Sequence, residues 1–173
     1  MTSRNTIRTL IQYFASIWSK YTGLGQAAGG AELSDIFNYV AISDQIGSSG
    51  QPTPEQFRSI SEAGFEQIIN LLPGNSENSL DNEAEIVAEL GMDYVYIPVD
   101  FRGPKESDFG QFVAAMEGHN NRKVWVHCAV NARVSVFVAR YRRDVMGIPK
   151  EEAHAPIGQV WEPFGVWKKF ITG

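Results

Sequence analysis

A single cysteine among 173 residues leaves no partner for an internal disulfide, which excludes a small disulfide-stapled scaffold and a metal site built mainly of thiolates. Long hydrophobic runs are also missing. No stretch approaches the roughly 18 apolar residues of a membrane span, so no transmembrane segment is expected and the chain reads as cytoplasmic. A basic surplus is lacking as well: the net charge is −5, which argues against nucleic acid as a partner, because affinity for a phosphate backbone needs clustered Lys and Arg. Internal repeats and low-complexity tracts are absent. What is present is ample core material, 43% hydrophobic residues against 20% charged, in a length suited to one compact unit.

Charge is nonetheless uneven. Between Arg122 and Lys150 stand seven basic residues (Arg122, Lys123, Arg133, Arg140, Arg142, Arg143 and Lys150) against one acid, Asp144. A local positive region of that kind suits a small anion better than a duplex. Arg140, Arg142 and Arg143 alone read as a solvated helix face, with phosphoryl docking as the other reading.

At the N-terminus, Arg4 and Arg8 precede Ile7, Leu10, Ile11, Phe14, Ile17, Trp18 and Tyr21, with Gln12, Ser16 and Ser19 on the other side. This is a helical stripe, whereas the core of a signal peptide would be apolar all round. Residues 5–21 are expected to form an amphipathic helix and 22–32 a connector, dividing the chain into 1–32 and a main domain over 33–173. The helix would pack on its own domain or on a second subunit, making a homo-oligomer; binding at a membrane surface is the other reading.

From Asn38 onward, apolar runs alternate with helical patterns. Strands are expected at 38–43, 65–72, 94–99 and 123–127. Thr53, Pro54 and Gln56 spell the start of a helix that carries Phe57 and Ile60 and stops at Gly64. Ser79 is expected to cap a helix with Ile86, Val87 and Leu90 inward, ended by Gly91. Phe109, Phe112, Val113 and Met116 mark another, residues 132–146 a long one, and a last helix lies between Pro156 and Ile171. The alternation calls for an α/β fold, a mainly parallel sheet flanked by helices.

In such sheets ligands bind beyond the carboxyl ends of the strands, where helix N-termini offer free N–H groups. Cys128 falls at that place. The segment VWVHCAVNARVSVFVARYRR sets it directly after an apolar strand and before a helix, with Arg133 five residues on. Backbone amides, a helix end and an arginine all favour the thiolate, the nucleophilic form. Asp100, on a loop after a strand, can protonate a leaving oxygen; it could instead cap the helix beyond Pro104, and Asp108 is its competitor. His119 and His154 lack metal-ligand spacing and read as surface residues, while Trp161, Trp167 and Phe170 read as core.

The HCAVNARVS segment resembles the phosphate-binding loop of the cysteine-dependent protein tyrosine and dual-specificity phosphatases, and small bacterial members in particular. SSGQP (48–52), IINLL (68–72), IPVDFRGP (97–104) and the tail QVWEPFGVWKKFI extend the likeness over most of residues 38–146 and beyond. The resemblance implies a dual-specificity-phosphatase-like fold and a phosphorylated substrate with no cofactor. It implies Cys128 as nucleophile, Arg133 as phosphate clamp, Asp100 as general acid, and the loop Ala129, Val130, Asn131, Ala132 and Arg133 as the phosphate cradle. Ser135 would steady the cysteine sulfur and His127 orient the loop. Three departures stand beside these matches. The family separates Cys and Arg by five residues and this chain by four, so Val134 occupies the family's arginine position. Asn131 stands where the family has glycine, and Leu72 replaces an arginine common in close relatives. Either the loop is tighter and rebuilt, or Arg133 points elsewhere and the chain only binds phosphate. A rhodanese-like sulfurtransferase acting through a Cys128 persulfide is the remaining alternative, since many such loops have the shorter spacing. His127 and the acid loop speak against it.

Overall fold

The computed structural model describes residues 4–11, 14, 32–118 and 122–172. Among them a five-stranded sheet comprises β1 (Val40–Ser43), β2 (Ile46–Ser49), β3 (Phe65–Asn70), β4 (Asp93–Tyr96) and β5 (Lys123–His127), in the spatial order β1-β2-β5-β3-β4. β1 and β2 form an antiparallel hairpin, and every other pairing is parallel. The ends of β2, β3 and β5 lie level, with Ser49 and Asn70 both paired to His127.

The helices are α1 (Pro54–Glu62), α2 (Glu83–Glu89), α3 (Glu106–Glu117), α4 (Ala132–Asp144), α5 (Lys150–His154), α6 (Ile157–Val160) and α7 (Val166–Thr172). α1 starts as its sequence dictates. Gln56 N donates to Thr53 Oγ1 at 3.2 Å and Thr53 N to Gln56 Oε1 at 2.9 Å, a reciprocal cap that satisfies two otherwise orphaned donors. The sheet is covered on both faces. One core gathers Ile36, Phe57, Ile60, Ile68, Val87 and Trp125. The other packs Ile69, Val124 and Val126 against Phe112, Phe137 and Trp167.

Several expectations are corrected by the coordinates. The polar IGSS segment forms β2, a strand that its composition conceals; it fits because Gly47 lies so close to the Trp125 ring that a Cβ would come within 2.5 Å of it. Ser79 does not cap α2: its hydroxyl donates to Gly74 O and Ser76 O, and Asn82 precedes the helix. The stretch between Pro156 and Ile171 is two short helices, α6 and α7, preceded by the unexpected α5. α5 starts after Pro149, and α6 ends at Trp161, whose backbone is extended.

The basic residues of α4 are not a solvated face. Arg140 is buried and grips Glu106 through two bonds, Nη1 to Oε1 at 2.9 Å and Nη2 to Oε2 at 3.0 Å, while lying over the rings of Phe109 and Phe170. Arg142 donates to Glu152 O and Ala153 O, and Arg143 to Asp144 and Ile171 O. Three of the seven local cations are thus structural.

Residues 4–11 and 14 are helical. The polar side chains dock on the body: Asn5 Nδ2 donates to Gly158 O, Arg8 to Gln159 O and Thr9 Oγ1 to Val160 O, while Thr6 Oγ1 accepts from Glu162 N. Ile7, Leu10, Ile11 and Phe14 are exposed, the reverse of the packing expected for an intramolecular helix. The rest of the expected helix and connector, and His119, lie outside the described residues.

Candidate active site

β5 delivers His127 and Cys128 to the carboxyl edge of the sheet, and the chain turns through 129–131 into α4. Asn131 makes the turn with φ 66°, ψ 1°, a left-handed conformation that glycine adopts freely and that Asn tolerates better than most residues. Its side chain then serves as a strut, with Nδ2 donating to Asn38 O at 2.8 Å and to Ser48 Oγ at 3.1 Å. Asn38 Nδ2 reciprocates by donating to Val130 O at 3.0 Å, and Gln51 N donates to Ala129 O. At Gly50 a Cβ would stand 2.8 Å from Ala129 O and 2.7 Å from Phe37 Cδ1, so only glycine lets β2 come this near the loop. The loop's carbonyls are held from outside, and an isolated antiparallel bridge pairs Val130 with Gly50. Free N–H groups at the start of a 13-residue helix are a ready site for an anion.

Cys128 is wholly buried at the foot of this loop, its own amide directed to Ser49 O. Ser135, one turn into α4, is engaged elsewhere than the sulfur: its Oγ donates to Ala132 O at 3.0 Å and accepts from Trp161 Nε1 at 3.1 Å.

Arg133 reaches across to the loop after β4. Its Nε donates to Val99 O at 2.9 Å and its guanidinium lies 5.2 Å from the centre of the Phe101 ring. Among the described residues no carboxylate lies within ion-pair distance of it, in contrast to Arg140, Arg142 and Arg143. Asp100 sits between those two contacts, exposed, with Oδ1 accepting from Arg102 N at 2.9 Å. It does not cap the next helix; Asp108 does, accepting from Lys105 N at 3.1 Å.

Behind the loop lies a buried polar cluster. His127 Nε2 is 3.1 Å from Glu83 Oε1, and both side chains are almost fully removed from solvent. Glu83 also accepts from Asn70 Nδ2, Tyr94 OH and Gln51 Nε2. Burial pushes the Glu83 carboxyl up, but the His127 charge and the hydrogen bonds from His127, Gln51 and Tyr94 outweigh it and hold the group below its usual range. The Tyr94 phenol is raised, by burial and by the Glu83 charge.

Glu83, Asn70, Tyr94 and Asn38 did not stand out from the sequence. For Glu83 a signal existed: it lies three and four residues before Ile86 and Val87, on the inward face of its own helix. Among the described residues no cluster of three or more His, Cys, Asp or Glu could hold a metal ion, and no helix is long and apolar enough to cross a membrane.

Comparisons with known proteins place this geometry. A family model described as "DSP-PTPase phosphatase fused to NAD+ Kinase" matches residues 43–158. A crystal structure of a candidate phosphatase (DUF442) from Shewanella putrefaciens CN-32 superposes with a TM-score of 0.73 at 34% identity, covering 81% of this chain and 92% of that one. The chain is 33% identical over 106 residues to the beta-lactamase hydrolase-like protein of Xylella fastidiosa, which is 58% of this chain and 24% of the relative; it spans about a quarter of the length of the curated relatives it matches. TpbA of P. aeruginosa, solved in complex with pTyr, shares the fold with a TM-score of 0.60 at 15% identity, over 80% of this chain and 83% of that one.

Proposed function

Because the chain belongs to the DSP-PTPase phosphatases of the kind described as fused to NAD+ kinase, we propose that it is itself a phosphoric monoester hydrolase acting through a phosphocysteine on Cys128. The observation that carries this reading is Arg133. Despite the four-residue spacing, its side chain spans from the start of α4 to Val99 O beside Asp100, so one arginine ties the cradle to the loop bearing the acid. With Nε committed to a carbonyl, the rest of the planar fork remains for two oxygens of a bound phosphoryl group.

The Cys128 thiolate attacks phosphorus as the bond to the leaving oxygen breaks and a phosphorus–sulfur bond forms. Asp100 gives its proton to the departing alcohol or phenol oxygen. The loop amides and Arg133 hold the three equatorial oxygens as their charge redistributes. In the second half Asp100, now a carboxylate, takes a proton from water; that water attacks phosphorus, the phosphorus–sulfur bond breaks, and phosphate leaves with the thiolate restored. His127, braced by Glu83, orients the loop from behind.

The test compares aryl phosphate hydrolysis with thiosulfate-to-cyanide sulfur transfer. Hydrolysis without sulfur transfer is expected. Cys128→Ser should abolish turnover yet keep vanadate binding, and Asp100→Asn should slow hydrolysis by roughly 10²- to 10⁴-fold, less for good leaving groups. Full activity in the serine variant, or transfer of sulfur but not of phosphoryl groups, sinks the reading. Phosphate binding without turnover in the unsubstituted protein would make the chain a binding module.

A further inference from the structure

The N-terminal helix turns the wrong side outward. A surface helix ordinarily buries its apolar stripe, yet here Asn5, Thr6, Arg8 and Thr9 hold the body through residues 158–162, while Ile7, Leu10, Ile11 and Phe14 remain 47%, 51%, 64% and 67% exposed. Arg4 and Arg8 line the same shallow groove as Ile7 and Ile11. Contiguous apolar side chains offered to solvent beside cations mark an interaction surface.

We propose that the helix bearing Ile7, Leu10, Ile11 and Phe14 is a peripheral anchor that seats this stripe in an anionic membrane surface. Charge decides the occupant. Arg4, Arg8 and Lys20 give the first 31 residues a charge of +3 with no acidic residue, whereas the remaining 12 basic and 20 acidic residues leave the rest of the chain at −8. The positive charge is therefore segregated on the one segment that also exposes an apolar stripe, the combination that binds anionic interfaces. A second copy of the chain fits less well. Two such segments, each with a charge of +3 and no carboxylate, repel each other when paired. The inference does not depend on the chemistry at Cys128.

Sedimentation of the full chain with phosphatidylcholine vesicles, with and without about one third phosphatidylglycerol, tests it. Binding to the anionic vesicles alone is expected, with release as salt rises from about 0.1 to 0.5 M. The double variant Leu10→Asp, Ile11→Asp should lower the bound fraction at least about tenfold while circular dichroism and catalytic turnover stay unchanged, since both side chains are exposed. Arg4→Glu should weaken binding on anionic vesicles by itself. No binding to anionic vesicles, binding unaffected by the double substitution, or a soluble dimer in place of vesicle binding would each overturn the proposal.

Discussion

The two walls of the phosphate loop are built from different materials. The wall behind Cys128 is polar and ionic: His127, Glu83, Asn70, Tyr94 and Gln51 form one buried cluster on the α1 and α2 side of the sheet. The wall in front is mainly aromatic, with Arg133 and the exposed Asp100 beside the rings. There Phe101 lies against Trp161 and Trp167, Trp167 Nε1 donates to Phe101 O at 2.8 Å, and Trp161 Nε1 donates to Ser135. A buried ionic cluster is stiff when complete and costly when one member is lost. An aromatic wall loses one contact at a time. The comparison teaches that the nucleophile's side of the loop is set by charge, and hence responds to pH, whereas the acid's side is set by packing.

The largest expected effect follows from breaking the ionic wall. Glu83→Ala strips His127, Asn70, Tyr94 and Gln51 of their shared acceptor and should destabilise the fold by about 3 kcal/mol or more, read from the urea midpoint; a loss below about 1 kcal/mol would show that the cluster is not what fixes this wall. Arg133→Lys comes next. It keeps the charge but loses the fork, so hydrolysis should fall about 10²-fold with little change in unfolding. A comparable loss of stability would mean that Arg133 is a strut of the front wall and not a ligand for phosphate. The pH dependence sharpens the same contrast. The folded-state pKa of Glu83 is depressed from its usual 4.5, so its contribution is fully present above pH 4.5 and is lost as pH falls through the lower folded value. Glu106 is depressed from 4.5 as well, by hydrogen bonds from Arg140, and acts in the same window, while Asp144 is depressed from 3.8 by Arg143 and acts at lower pH. Stability measured from pH 7 downward should therefore decline below about 4.5, less steeply in Glu83→Gln; parallel slopes would remove Glu83 from the account. The smallest effect belongs to the aromatic wall. Trp161→Phe deletes one hydrogen bond to Ser135, worth about 1 kcal/mol or 2–4 °C in Tm.

Much of this architecture was legible because local chemistry and tertiary structure agree. Strand-like runs, the Thr53 cap and Asn131 at the turn all carry information within a few residues of where they act. Strands β3, β4 and β5 and the place of Cys128 beyond the last of them can be read from that information alone. The failures share a cause: each depends on a partner distant in sequence. β2 is polar and becomes a strand only between β1 and β5. Arg140 reads as a surface residue until Glu106, Phe109 and Phe170 surround it, and an exposed arginine on a helix has the same local signature. The apolar stripe of the N-terminal helix is visible in sequence, but which side faces the body is decided by carbonyls of residues 158–160, which no periodicity encodes.

The placement of the indoles makes the molecule its own optical probe. Trp125 is sealed beneath the sheet, stacked on Tyr39 with its Nε1 on Ser49 Oγ, and its emission is insulated from events at the front of the loop. Trp161 and Trp167 instead touch Phe101, beside both Asp100 and the guanidinium of Arg133. An anion that draws Arg133 away from the Phe101 ring alters the surroundings of these two fluorophores and leaves Trp125 as an internal reference, so in a Trp18→Phe variant, which removes the fourth indole, occupancy of the cradle can be followed by intrinsic emission without a label.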